Sequence, residues 1–259
     1  MKSIVVIILF LITSSTSLLL GQDVSIYPNT TSKDVIKKNK KAIKKYSKEI
    51  RTLDNPNAYY ERGRAKGKLG DFKGAKEDFT EAIQRDSSNA DYYVRRGIAK
   101  EFLLEYQSAI ADYTVAKNIR PNDKDTYYGI GNCYLKLEQY EKAIPIYTRQ
   151  LEIIPNDYAS YINRGICFFR LGAYEEAITG MKKGLTLNPK EHLAYDYLAR
   201  SYISLTQYKK ALENSNKAIK IYPKDGDYYY TRANAYFGLN LEKEAEKDFK
   251  KAKKLGRSY

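Results

Sequence analysis

The chain has 259 residues, 43% of them hydrophobic, enough to bury a sizeable core. Two cysteines, one histidine and no tryptophan leave little material for a metal centre or thiol chemistry. No phosphate loop, dinucleotide fingerprint, HExxH or nucleophile elbow occurs either, so neither enzymatic activity nor a cofactor is expected. A formal net charge of +14 keeps negatively charged partners and surfaces in consideration.

The first element is an address. Met1-Lys2 leads an uncharged run from Ile4 to Ile12, then Thr13 to Ser17, Leu18 to Leu20 and Gly21. A basic start, a short apolar stretch and a small-residue zone describe a secretory signal, residues 1–21, cleaved after Gly21 or alternatively after Ser17. An uncleaved anchor is the rival, although Ile4 to Leu20 is short for a membrane span. Either way the remainder is expected to be exported, to the periplasm, the outer-membrane region or the extracellular space. Residues 22–33 read as a flexible linker.

Residues 34–55 read as a basic capping helix. Ala42, Ile43, Tyr46 and Ile50 have the spacing of Ala109, Ile110, Tyr113 and Lys117 further on. Nine Lys or Arg between Lys33 and Arg51 face only Asp34 and Glu49.

From Pro56 the chain aligns with itself at an offset of 34, without a gap, to its end. Six units follow: 56–89, 90–123, 124–157, 158–191, 192–225 and 226–259. Tyr59, Tyr93, Tyr127, Tyr161, Tyr195 and Tyr229 form one column, and four residues on stand Gly63, Gly97, Gly131, Gly165, Ala199 and Ala233. Leu69 to Leu239 and Ala75 to Ala245 recur likewise, and Pro121, Pro155, Pro189 and Pro223 close the four middle units. Within a unit, apolar and small residues recur at helical spacing in two stretches separated by a turn. Proline ends the second stretch because it has no amide hydrogen and clashes with the preceding turn. Each unit is therefore a helical hairpin that must stack on its neighbours to bury both faces.

On this period and these columns the chain resembles the tetratricopeptide repeat family, with tyrosine where that family often has tryptophan. The family's aromatic column reads Lys66, Lys100, Tyr134, Phe168, Tyr202 and Tyr236. The resemblance implies an all-α fold, a right-handed solenoid of stacked antiparallel helix pairs. The ends behave as solenoid ends: Ile110, Ile144, Ile178 and Leu212 give way to Glu246, and Leu151, Leu185 and Ile219 to Lys253.

Two columns vary together. Arg62 stands with Asp78, Arg96 with Asp112 and Arg232 with Asp248, whereas Ile130 stands with Ile146 and Leu198 with Asn214. Charge accompanies charge, so these columns are expected to touch across each hairpin, with Arg164 opposite Gly180 as the exception. Gly180 and Gly184 mark either a close helix approach or a soft point. His192 reads as a solvated helix-start residue. Cys133 and Cys167 share one small-residue column in adjacent units and read as buried free thiols, since stacked helices hold equivalent points beyond bridging distance.

The resemblance further implies that the first helix of each unit lines a concave groove for a protein segment. Carried over, this gives Tyr60, Arg64 and Lys68; Val94, Ile98 and Phe102; Tyr128, Asn132, Leu135 and Lys136. It continues with Ile162, Ile166, Phe169 and Arg170, then Asp196, Arg200 and Ile203, and finally Tyr230, Asn234 and Phe237. Apolar and aromatic residues in the middle with basic borders suit an extended or helical segment bearing acidic residues. The carboxylate clamp of some family members fails here. Asn132 and Asn163 fit it, but Tyr128, Leu193 and Tyr197 stand where it needs basic residues. The expected function is a protein-interaction scaffold of the cell envelope. The alternative is attachment to an anionic membrane or polysaccharide through the Lys33–Arg51 helix and the Lys247–Arg257 tail, with nucleic acid not expected.

Overall fold

The computed structural model describes residues 32–257; the expected signal segment and residues 22–31 of the linker lie outside them. Among the described residues there are thirteen α-helices and no strand. Helix α1 (Lys33–Leu53) precedes six pairs. These are α2 (Pro56–Lys68) with α3 (Phe72–Arg85), α4 (Ala90–Phe102) with α5 (Tyr106–Ile119), and α6 (Lys124–Lys136) with α7 (Tyr140–Ile153). The remainder are α8 (Tyr158–Arg170) with α9 (Tyr174–Leu187), α10 (His192–Ser204) with α11 (Tyr208–Ile221), and α12 (Gly226–Gly238) with α13 (Glu242–Lys254). The capping helix ends two residues earlier than its expected limit of 55: Asp54 adopts a left-handed φ of 42°, and Asn55 already caps α2.

Local chemistry sets the boundaries. Asn55, Asn89, Asp123, Asp157 and Asp225 each accept a hydrogen bond from a backbone N–H in the first turn of the following first helix, which satisfies an otherwise orphaned donor. Helices α5, α7, α9 and α11 stop two residues before Pro121, Pro155, Pro189 and Pro223. The turn inside every hairpin places one residue in the left-handed region: Gly70, Leu104, Glu138, Gly172, Thr206 and Asn240, with φ between 56° and 83°. Glycine fits there without strain, and Leu, Glu and Thr do not.

Each first helix packs on its own second helix and on the second helix of the repeat before it. Successive first helices also touch one another, while among the described residues no second helix touches another. First helices therefore form the tighter, inner side of the stack, and second helices the outer side.

The core lies between them. Ala75, Ala109, Ala143, Ala177 and Ala211 are fully buried, and large rings from the second helices fill the gaps beside them. A Cβ on Gly97 would stand 2.9 Å from the Tyr113 ring, and one on Gly131 2.7 Å from Tyr147. The small column of the first helices is thus the socket for these rings. Where Ser215 replaces the ring, the socket takes the extra methyl of Ala199.

The charged columns meet as a three-helix staple. Arg96 Nε and Nη2 donate to Asp112 at 2.8 and 2.7 Å, and its Nη1 reaches back to Thr80 Oγ1 of the preceding repeat at 3.3 Å. Arg62 joins Asp78 to Ser47 of α1 in the same manner, and Arg232 joins Asp248 to Asn216. The three aspartates are only 2–5% exposed. Lys66 and Lys100, which break the aromatic column, add a second cation to Asp78 and Asp112 at 2.9 and 2.7 Å. In repeat three, Ile130 and Ile146 fill the same place with apolar contact. Arg164 keeps only the backward half: Nη1 donates to Thr148 Oγ1 at 2.9 Å, and Nε is buried with no hydrogen-bond partner among the described residues. A carboxylate opposite would require the helices to part by a few tenths of an ångström, because a Cβ on Gly180 would lie 3.1 Å from the Tyr161 carbonyl and 3.3 Å from Gly165 Cα. Gly180 and Gly184 therefore mark a close helix approach, not a gap.

The inner face as candidate binding site

The inner face carries fewer available side chains than the expected groove. Val94, Ile98, Leu135, Ile162 and Ile166 are 1–7% exposed and belong to the core between repeats, and Asp196 is buried too. Inner-side helices touch each other, so the flanks of each first helix are consumed by packing.

The remaining expected residues stay at or near the surface. Arg64 bonds Glu61 at 2.8 Å and lies over the Tyr60 ring. Burial, followed by the positive charges of Arg64, Lys38 and Arg95, pushes the Lys68 ammonium below its usual range, so α1, α2 and α4 gather like charges at this end. Phe102 stacks on Phe72 at 4.0 Å. Tyr128 meets the edge of Tyr147. Asn132 accepts hydrogen bonds from Tyr147 Oη at 2.7 Å and Asn163 Nδ2 at 3.0 Å, which joins repeats three and four. Phe169 meets Tyr197 edge-on at 5.3 Å, and the Arg200 guanidinium covers both rings at 5.1 Å. Arg200 also approaches the buried Asp196 at 3.7 Å. Arg170 is exposed and Ile203 half-buried. Asn234 spends its amide on the Tyr230 carbonyl of its own helix. Tyr230 lies beneath the protein's C-terminal end, with the Arg257 guanidinium 3.9 Å from its ring, while Phe237 is 64% exposed.

Sequence reasoning missed Glu101. The other repeats place Gly67, Leu135, Phe169, Ile203 and Phe237 in its column, so a carboxylate there breaks an apolar series. The Tyr113 ring explains its setting. It passes between Gly97 and Gly129, where added Cβ atoms would stand 2.9 and 2.5 Å away, and its hydroxyl donates to Glu101. Burial raises the Glu101 carboxyl to about 7, against the lowering influence of the Tyr113 bond and Lys136. Lys136 is itself lowered by burial. The glycine at 129 was the legible signal, since its column is otherwise varied and polar.

His192 is only partly solvated. Its Nδ1 lies 2.5 Å from Tyr228 Oη, and its ring stacks on Tyr222 at 4.9 Å. Cys133 and Cys167 are free and fully buried, and burial pushes the Cys167 thiol up to about 12. No group of His, Cys, Asp and Glu among the described residues could hold a metal ion.

Hairpins stacked in one direction, with first helices inside and second helices outside, define an α-solenoid repeat protein. The family models for the tetratricopeptide repeat match residues 56–89, 124–190, 194–225 and 226–258, and the chain belongs to this family. Among solved structures, MamA is similar at 26% identity over 64% of this chain and 91% of its own, with a TM-score of 0.59. YrrB, described as a TPR protein with an unusual peptide-binding site, shares the fold at 23% identity, covering 76% of this chain and 98% of its own, with a TM-score of 0.62. A tetratricopeptide repeat protein from Parabacteroides merdae ATCC 43184 does so at 19% identity over 87% of this chain and 93% of its own, with a TM-score of 0.63. Comparison with curated proteins yields no match.

Proposed function

We propose that this protein is an exported scaffold that holds a partner segment, extended or helical and bearing acidic residues, along its inner face. The fold supports a protein-interaction scaffold. The finer reading is carried by what the inner face presents once its core residues are set aside. Arg64, Lys68, Lys136, Arg170 and Arg200 keep surface exposure along the first helices, as do Tyr128, Phe169 and the exposed Phe237. Arginine and aromatic side chains are the residue types that dominate binding energy at such surfaces. The test is capture from envelope extract on immobilised residues 23–259, compared with the Tyr128→Ala/Phe169→Ala/Arg170→Ala variant. Proteins retained by the parent at moderate salt and lost from the folded variant support the reading. Equal retention by both sinks the groove.

A second reading rests on α1. Lys33, Lys37, Lys38, Lys40, Lys41, Lys44, Lys45, Lys48 and Arg51 are all exposed, a surface suited to anionic lipid or polysaccharide. Retention of vesicles or polysaccharide that is indifferent to the groove substitutions and released by salt supports it. Export rests on residues 1–21, and a mature protein beginning at Gln22 is the expected mass-spectrometric result.

A further inference from the structure

On the outer side, opposite the inner face, a cavity of about 500 Å³ opens between α9 and α11 with α10 as its floor. Its position follows from the staple. In repeats one, two and six an arginine crosses this space from the preceding second helix to the aspartate of its own. In repeat five that arginine is Leu198, which is too short to cross, and the aspartate is Asn214, whose amide turns back to the Lys210 carbonyl. Both residues line the cavity, as does Lys182, which occupies the backward anchor position held elsewhere by Ser47, Thr80, Thr148 and Asn216. Nothing crosses, and the room stays open.

The open room has a defined chemistry. Tyr195, Tyr202 and Leu198 give an apolar floor, while Lys182, Lys210 and Lys217 stand at the rim with Glu213 as the lining carboxylate. The ammonium groups are held over ring faces: Lys182 and Lys210 over Tyr202 at 5.9 and 5.5 Å, and Lys217 over Tyr195 at 5.5 Å. Ligand sites of this size typically combine an apolar lining with a few convergent polar groups. We infer that this cavity binds a small amphipathic anion, an apolar or aromatic body bearing a carboxylate, sulfonate or phosphate group that meets the lysine rim. The site shares no lining residue with the inner groove.

The probe is 8-anilinonaphthalene-1-sulfonate, an aromatic body with one sulfonate, titrated into the full chain by fluorescence. Two variants address the cavity: Leu198→Arg/Asn214→Asp, which supplies the arginine–aspartate half of the staple and fills the space, and Lys210→Glu/Lys217→Glu, which reverses the rim charge without touching the core. Phe237→Ser controls for the exposed aromatic of the inner face. The expected result is saturable binding that weakens about tenfold or more, some 1.4 kcal/mol, in both cavity variants and is unchanged in Phe237→Ser. Binding that survives Lys210→Glu/Lys217→Glu, or that falls only in Phe237→Ser, overturns the inference. Should the staple variant fail to fold, the rim variant decides alone.

Discussion

Repeats two and five follow one 34-residue plan yet close their outer sides by different means. In repeat two, Arg96 ties Thr80 behind it to Asp112 beside it, and Lys100 adds a second cation to the same carboxylate. In repeat five, Leu198 and Asn214 leave that space open, and lysines gather around it. Repeat three offers a third solution, Ile130 against Ile146. The Leu69 to Leu239 and Ala75 to Ala245 columns thus hold in every unit, whereas the joint between units is interchangeable.

The strongest way to break this comparison is Asp112→Ala. It strands Arg96 and Lys100 against a nearly buried space and should cost about 3–5 kcal/mol in denaturant unfolding. Asn214→Ala, at the equivalent position of repeat five, should change stability by under about 1 kcal/mol, because its amide serves only its own helix. A double-mutant cycle on Arg96 and Asp112 should show coupling of more than about 1 kcal/mol, and additivity would mean the staple is geometry without energy.

Repeat two also differs from its neighbours on the inner side, through Glu101. Its folded pKa of about 7 lies above the ordinary carboxylate value of 4.5, so the folded state holds this proton more tightly than the unfolded chain. The group's favourable contribution is complete below about pH 4.5, declines as the pH rises, and is gone above about 7. Glu101→Gln should therefore be near neutral at pH 4.5 and raise stability at pH 8 by about 2 kcal/mol, a figure reduced from the full shift because the side chain is half-buried. A difference in Tm that is the same at both pH values would assign the titration elsewhere.

The hairpin turns sharpen the comparison with a smaller effect. Thr206 of repeat five holds a left-handed φ of 56°, where repeats one and four have glycine. Thr206→Gly should stabilise by about 1 kcal/mol, seen as a raised Tm, and Gly172→Ala should destabilise by a similar amount. The smallest effect on stability belongs to α1: Lys37→Ala/Lys41→Ala/Lys44→Ala should stay within about 0.5 kcal/mol of the parent. The same variant should lose retention on anionic vesicles if the basic face binds them, and unchanged retention would remove that role.

The repeats, their hairpin construction and the paired charged columns were legible because each recurs at a fixed offset, and recurrence separates a structural requirement from a local accident. The reach of Arg96 to Thr80 was not, because it joins different columns in successive units. Which of the expected inner-face residues keep surface exposure was legible only in part. Val94 and Ile166 share helix faces with Tyr128 and Phe169, and period alone cannot say how far the neighbouring helix covers a face. Glu101 was hidden by the apolar character of its column. His192 looked solvated because its partners stand far along the chain, Tyr222 at the end of its own repeat and Tyr228 in the next. The outer cavity is the absence of a side chain, and it became visible only when the staple had been seen in space.

The uneven distribution of staples gives the array a mechanical profile. In a one-dimensional stack each boundary contributes its own nearest-neighbour coupling. The boundary between repeats four and five carries no arginine across its outer side, yet Phe169, Tyr197 and Arg200 hold it together on the inner side. Such a joint is fastened like a book bound along one edge, closed at the spine and unlaced at the fore-edge. Bending there would change the curvature that a long partner segment meets, so an occupant wedged between α9 and α11 would set the pitch of the surface on the other side of the molecule.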